Sequence, residues 1–144
     1  MGCLEFGPTI IICMGKQRKL GKGNYRRRMI IMKALSIKEP WVYLFIMGKK
    51  TIETRRWKTN YRGKLLLCAS KKPKSEYSGY AFATAVLKDC IPMTKEHELK
   101  ACVYVYDHAY SWILSDIKPI KKFEVTGKLG LFNVDCESFL EEMQ

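Results

Sequence analysis

The sequence predicts a small α+β barrel. Three observations support this fold class. The chain has 144 residues, 47% of them are hydrophobic, and the apolar segments are short. That length suits one domain, and this apolar content is enough for a core. Many strand-length segments with only a few helix-length ones are typical of small barrels.

Residues 1–31 are predicted to lie outside this domain, which begins at Met32 and extends to residue 144. Seven basic residues and one acidic residue give this extension a net charge of +6. It could be a disordered tail or a misassigned start, or a basic arm that contacts phosphates. Its apolar run at 9–14 is too short to cross a membrane, and the positive charges follow the run, unlike those of a signal peptide. We therefore expect no membrane partner.

Seven strands and three helices are predicted within the domain. The strands lie at 33–37, 51–57, 64–69, 80–91, 110–117, 123–126 and 129–134, and the helices at 41–47, 95–100 and 136–143. The strands are predicted from the alternation of polar and apolar residues, or from a high content of β-branched and aromatic residues. The strand at 64–69 is apolar at every position after Lys64, which is typical of a central strand. Pro92 and Pro119 are expected to end strands, and Gly127 to turn a hairpin between the last two strands.

The first helix has clear start and stop signals. Pro40 suits the first position of a helix, and Gly48 can end one in the left-handed conformation. The residues between them are apolar on all sides, so we expect this helix to be buried on most sides. Thr94 can cap the second helix. The polar segment 70–79 is predicted to be a loop.

The six cysteines indicate reduced thiols in a reducing, cytoplasmic compartment. No two of them are in a C-x-x-C spacing, and neither His97 nor His108 pairs with a cysteine at a zinc-site interval. Cys68 and Cys90 lie in apolar, strand-like segments, which predicts burial. A disulfide framework is the alternative. We expect no metal and no other cofactor, and both histidines to be exposed and uninvolved.

The net charge of +12 favours a polyanionic partner, with nucleic acid ahead of an anionic membrane. Residues 49–74 contain ten Lys and Arg residues and one acidic residue. They could form one surface that follows a phosphate backbone. Alternatively, the strands could scatter these charges over several faces.

The candidate site lies between the first helix and the second strand. Lys50, Glu53 and Arg55 are close in sequence, and Trp41 and Trp57 lie on either side of them. Strand alternation places Glu53, Arg55 and Trp57 on one face. Lys50 reaches that face only from the turn before the strand. Charges of both signs beside aromatic rings can bind a flat, polar ligand, although the same residues could form an ordinary surface ion pair.

These residue types suit a nucleotide. Glu53 and Arg55 would pair, and a carboxylate can accept a hydrogen bond from the exocyclic amine of a base. Lys50 and Arg55 could hold a phosphate or carbonyl oxygen, and Trp41 or Trp57 could stack on a base. For hydrolysis, Glu53 could act as the base with Lys50 as the electrostatic donor, or Lys50 could be the base if burial lowered its pKa.

Several ordered segments resemble the ASCH domain family (activating signal cointegrator homology), which is part of the PUA-like superfamily. The segments are K-A-L-S-I-x-x-P-W at 33–41, the signature G-x-K-x-x-E-x-R at 48–55, Y-R-G-K-L-L at 61–66, A-S-K at 69–71, Y-S-W-I-L at 110–114 and T-G-K-L-G-L-F at 126–132. Together they span nearly all of residues 32–144.

The resemblance implies a PUA-like β-barrel with short helices packed outside it and a cleft lined by the signature residues. It also implies a nucleic-acid partner, with RNA favoured, or a nucleoside. The candidate binding residues are Trp41, Lys50, Glu53, Arg55, Trp57, Arg62, Ser70 and Lys71.

The family also suggests an enzyme. Some small bacterial members are amidohydrolases that remove acetyl from N4-acetylcytidine. They carry Lys-x-x-Thr where this chain has Lys50-x-x-Glu53, and they use a further Glu, for which Glu96 and Glu98 are the nearest candidates. An amidohydrolase or a nuclease that uses Lys50 and Glu53 is thus the alternative to an RNA-binding module. A protein-interaction module in a transcription or translation complex is a further alternative.

Overall fold

The structure, a computed structural model, describes residues 29–137. The predicted extension lies outside this range except for its last three residues, and most of the predicted helix at 136–143 also lies outside it. The strands are β1 (Ile31–Ile37), β2 (Ile52–Arg55), β3 (Gly63–Ala69), β4 (Tyr80–Pro92), β5 (Tyr110–Glu124) and β6 (Leu131–Asp135). The helices are α1 (Trp41–Ile46) and α2 (Glu98–Ala101), the latter preceded by a 3-10 turn (Lys95–His97).

The six strands form one curled sheet in the order β2-β5-β4-β3-β1-β6. Only β1 and β3 pair in parallel, and the other neighbours are antiparallel. The described residues are therefore mostly sheet with a few short helices, which confirms the α+β class in part. The sheet is a half-barrel whose edge strands are β2 and β6, and it agrees in outline with the PUA-like barrel that the resemblance implies.

Both faces of the central strands are buried. In β3, Leu65 and Leu67 pack into the core beneath α1, whereas Leu66 and Cys68 pack into a second cluster on the opposite face. Successive side chains of a strand point to opposite faces, so a strand covered on both sides is apolar throughout. The prediction of a central strand at 64–69 is confirmed.

Helix α1 forms close to where the sequence predicts it, but Pro40 is its N-cap and not its first residue, and the helix ends at Ile46, one residue before the predicted end. Trp41 is its first residue, and Gly48 has the left-handed φ of +74° that stops the chain from continuing as a helix. Val42 and Phe45 are buried, but Tyr43 is 56% exposed. The prediction of burial on most sides is therefore wrong for the face that carries Tyr43. The turn after Gly48 places Lys50 two residues before the first residue of β2.

The predicted hairpin around Gly127 is wrong. Strand β5 continues through Pro119 to Glu124, and β6 pairs with β1 instead of with residues 123–126. Within residues 29–137, β2 pairs with β5 only as far as Ile113, so the outer edge of β5 is unpaired around Pro119. A proline on an unpaired edge removes no ladder hydrogen bond, and the strand therefore continues.

The described thiols are unpaired. Cys68, Cys90, Cys102 and Cys136 are all free, and Cys68 is buried as predicted, whereas Cys90 is only partly buried. Burial raises the pKa of Cys68 to about 12 and that of Cys136 to about 11. Among residues 29–137, no helix has the length and apolar content needed to cross a bilayer.

Candidate functional site

A cleft of about 410 Å³ opens on the side of the sheet where β2 approaches the end of β1. This volume lies within the usual range for small-molecule sites. Its walls come from the end of β1 and the start of α1, from β2, and from the segments that follow β3, α2 and β5. The lining residues are Ser36, Lys38, Trp41, Glu53, Thr54, Arg55, Ser70, Val103, Tyr106, Lys128, Leu129 and Gly130.

Glu53 supplies a carboxylate to the cleft wall. Glu53 is only 7% exposed. Oε1 accepts a 2.7 Å hydrogen bond from the backbone N–H of Thr54, and Oε2 lies 3.8 Å from Nη2 of Arg55. The predicted pair of Glu53 and Arg55 is therefore present. A carboxylate has about four acceptor positions, so this one retains capacity for a ligand.

Arg55 joins two strands that are not neighbours in the sheet. Its Nη2 donates a 2.7 Å hydrogen bond to the backbone carbonyl of Ser36 in β1. Its Nε is buried and has no hydrogen-bond partner among the described residues. Because β2 and β1 share no ladder, this contact fixes the width of the cleft at one end.

Lys50 is fully buried and does not line the cleft. Its Nζ donates to the backbone carbonyl of Ala101 and lies 6.0 Å from the centroid of the Trp41 ring and 5.6 Å from that of Phe45. Burial lowers the pKa of Lys50, and the negative charge of Glu53 opposes this effect. The ammonium therefore lies against one side of Trp41, a residue that lines the cleft.

Of the other sequence candidates, Ser70 lines the cleft, whereas Trp57, Arg62 and Lys71 do not. The Trp57 ring packs edge-on against Trp112, with the two centroids 4.7 Å apart. Nη2 of Arg62 lies 3.2 Å from Oδ1 of Asp89. Lys71 is exposed in the loop after Ser70. The structure thus brings together Trp41, Glu53, Arg55 and Ser70, with Lys50 behind Trp41.

Sequence reasoning missed several lining residues. Ser36 and Lys128 lie in segments that carry the family resemblance, and this was a usable signal. Tyr106 lies in the irregular segment after α2, and its hydroxyl donates a 3.0 Å hydrogen bond to Oγ1 of Thr54 in the cleft wall. No sequence pattern marked Lys38 as a site residue, because it lies after the end of the first predicted strand.

The further glutamate expected for an amidohydrolase is not found in the cleft. Glu96 is exposed, and Oε2 of Glu98 accepts a 2.9 Å hydrogen bond from the backbone N–H of Val105. Glu53 is the only carboxylate that lines the cleft within residues 29–137. The expectation that His97 is exposed is wrong, because its partly buried ring lies 2.9 Å from Oγ of the buried Ser111.

The cleft combines one carboxylate, cationic side chains and aromatic surfaces. It can accept hydrogen bonds from an amine, attract an anion and stack against a flat ring. Within the described part of the chain, no group of three or more His, Cys, Asp or Glu side chains is placed to hold a metal ion.

Comparisons with known proteins identify a family and solved structures of similar fold. A family model described as "ASCH domain" matches residues 35–124. No curated protein matches the chain. The crystal structure of ASCH from Zymomonas mobilis is similar with a TM-score of 0.59 at 14% identity, covering 78% of this chain and 93% of that one.

Crystal structures of two point mutants of the Zymomonas mobilis protein are also similar. Their TM-scores are 0.55 and 0.56 at 14% and 13% identity. Each alignment covers 78% of this chain, and 96% and 94% of the respective mutant chains. Likeness at this level of identity concerns the fold.

Proposed function

The chain belongs to the ASCH domain family, and we propose that its cleft binds one nucleotide of an RNA strand. The base enters the cleft with an exocyclic amine directed at Glu53. The sugar and phosphate remain at the mouth.

The observation that carries this proposal is the position of Glu53 between aromatic and cationic walls. Its carboxylate is nearly buried, and within residues 29–137 the backbone N–H of Thr54 is its only hydrogen-bond donor at normal distance. A carboxylate in such a position accepts from N4 of cytosine, and a correct base contact of this kind contributes about 1–3 kcal/mol of discrimination. Uracil carries an oxygen at the same position, and its approach would leave two acceptors facing each other.

The other walls suit the remaining parts of a nucleotide. Trp41 is partly buried, so it presents a ring edge or face to the cleft and rests on the core on its other side. A base that stacks on such a ring gains about 1–3 kcal/mol. Lys38 and Lys128 are exposed at the mouth, where their ammonium groups can reach a phosphate.

The test is a calorimetric titration of cytidine 5′-monophosphate into the wild type, Glu53→Gln and Trp41→Ala. We expect both variants to bind about tenfold more weakly or worse, in line with the energies of one base contact and one stacked ring. Glu96→Gln is the matched control, because it removes an exposed carboxylate outside the cleft. Equal affinity in Glu53→Gln and Glu96→Gln would contradict the proposed role of the cleft.

A second candidate function is hydrolysis of an N4-acylated cytidine. The observation that favours it is the burial of Lys50, which lowers the pKa of its amine. Its charged neighbour Glu53 is the only carboxylate among residues 29–137 that lines the cleft. In this reaction a water adds to the acetyl carbonyl, the bond between that carbon and N4 breaks, and acetate and cytidine leave. Glu53 lines the cleft and is the better-placed base, whereas Lys50 donates to the Ala101 carbonyl.

A chromatographic assay of N4-acetylcytidine tests this candidate. Conversion to cytidine by the wild type, lost in folded Lys50→Met and Glu53→Gln but retained in Glu96→Gln, would support it. Absence of conversion by the wild type would exclude this substrate and leave nucleotide binding as the function of the cleft.

A further inference from the structure

The loop of residues 70–79 starts inside the cleft and leaves it. Ser70 lines the cleft, and its N–H donates a 2.8 Å hydrogen bond to the carbonyl of Ile37. The N–H of Gly79 donates a 3.0 Å bond to the carbonyl of Ala69, which closes the base of the loop. A chain molecule that leaves the cleft past Ser70 therefore meets this loop next.

The loop carries three exposed lysines: Lys71, Lys72 and Lys74. None of the three side chains forms a hydrogen bond or an ion pair within residues 29–137. Three like charges within four residues repel one another, and a bound polyanion would relieve that repulsion.

The end of β5 extends this charged surface. Nζ of Lys122 donates a 3.0 Å hydrogen bond to the carbonyl of Glu76 in the loop, and it lies 4.8 Å from the centroid of the Tyr80 ring. The loop and the end of β5 thus form one continuous surface. Residues 70–79 and 117–124 together contain six lysines and two glutamates.

A second connection leads from this surface back to the cleft. The N–H of Val125, directly after β5, donates a 2.9 Å hydrogen bond to the carbonyl of Gly79 at the base of the loop. Three residues further on, Lys128 lines the cleft. The charged surface and the cleft therefore share two chain segments, one on each side.

Three other cations of residues 49–74 have different environments. Lys50 is buried, Arg55 bonds to Ser36, and Arg62 pairs with Asp89. The stretch 49–74 is therefore divided between several environments, and Lys71, Lys72 and Lys74 are the part of it that lies in the loop after Ser70.

We propose that a single RNA strand, with one base in the cleft, runs across residues 70–79 and the end of β5, here called the basic ledge. This inference rests on the proposed function and adds the path of the neighbouring nucleotides. A single strand suits the geometry because a base can enter a cleft only when it is unstacked. The ledge contacts phosphates and is therefore indifferent to the neighbouring bases.

The test compares cytidine 5′-monophosphate with a labelled hexanucleotide of cytidylate over a range of salt concentrations. Lys71→Gln/Lys72→Gln/Lys74→Gln should leave the affinity for the mononucleotide unchanged. It should reduce the slope of log K against log salt for the hexanucleotide by about 2, since each neutralised phosphate of a single strand contributes about 0.7. When the salt concentration is raised fourfold, that difference in slope changes the ratio of the wild-type and variant affinities for the hexanucleotide by about 20-fold.

Lys58→Gln/Lys64→Gln/Lys88→Gln is the matched control. It removes the same charge, and Lys64 and Lys88 lie at the end of the β3–β4 pair away from the loop. An equal loss of slope in both triple variants, or no loss in the first, would overturn the ledge while mononucleotide binding stands. Failure of the wild type to bind the mononucleotide would instead overturn the proposed function, and the ledge with it.

Binding to phosphatidylserine vesicles tests the alternative that the basic ledge contacts a membrane. If the loop variant lost vesicle binding and kept its hexanucleotide affinity, the ledge would be a membrane contact and the inference would be wrong.

Discussion

Replacing Lys50 by methionine tests whether its amine is held in the low-dielectric environment that the structure shows. The side chain is fully buried, donates to the carbonyl of Ala101, and otherwise faces the rings of Trp41 and Phe45. Methionine keeps most of the length and removes the charge. Loss of the donor leaves a buried carbonyl unpaired, which costs about 1–3 kcal/mol, whereas loss of the buried charge removes a desolvation penalty.

The dependence on pH separates these two effects. Burial lowers the pKa of folded Lys50 from 10.5, so between the lowered pKa and 10.5 the unfolded chain binds a proton that the folded chain does not. Stability of the wild type relative to Lys50→Met therefore rises with pH in that window, by at most about 1.36 kcal/mol per pH unit. Below the lowered pKa both states bind the proton, and the difference becomes constant. The lost hydrogen bond contributes equally at every pH.

Urea unfolding from neutral to alkaline pH measures this difference. Glu53, Cys102 and Arg55 are the charged or titratable neighbours of Lys50, and both proteins should carry Cys102→Ser, which removes the neighbouring thiol from the comparison. A difference in unfolding free energy that stays constant over the whole range, or that falls as pH rises, would refute the proposed environment of Lys50.

Two further predictions concern Arg55 and the buried thiols. Arg55→Met should lower the free energy of unfolding by about 1.5–3 kcal/mol, the usual contribution of a charged hydrogen bond. The reason is that it removes the contact with Ser36 that joins β2 to β1. Thermal unfolding would measure the loss, and an unchanged melting temperature would show that the contact does not hold the two strands together. Iodoacetamide at neutral pH should label Cys102 well before Cys68 and Cys136, whose raised pKa values leave almost no thiolate. Peptide mass spectrometry would detect the order, and early labelling of Cys68 would contradict its burial.

Local features of the fold could be predicted from the sequence because short-range chemistry determines them. Residues 65–69 are apolar at every position, and a strand covered on both faces requires this. Gly48 ends α1 because its left-handed φ is available to glycine at little cost. The pair of Glu53 and Arg55 could be predicted because residues two apart in a strand share one face.

Contacts between distant segments could not be predicted in this way. Tyr106 reaches Thr54 across 52 positions, and no local pattern marks that contact. Arg62 belonged to the candidate binding residues, but Asp89 lies beside it only because β3 and β4 pair. Pro119 has the usual signature of a strand end, and only the sheet order shows that its edge of β5 is unpaired.

The central claim is that Glu53 accepts a hydrogen bond from the amine of a base, and a binding cycle tests it most directly. Cytidine and uridine 5′-monophosphates are titrated into the wild type and Glu53→Gln, which gives the preference for cytidine in each protein. We predict that the wild type prefers cytidine by about 1–3 kcal/mol and that this preference disappears in Glu53→Gln. The same preference in both proteins, or none in the wild type, would contradict the claim.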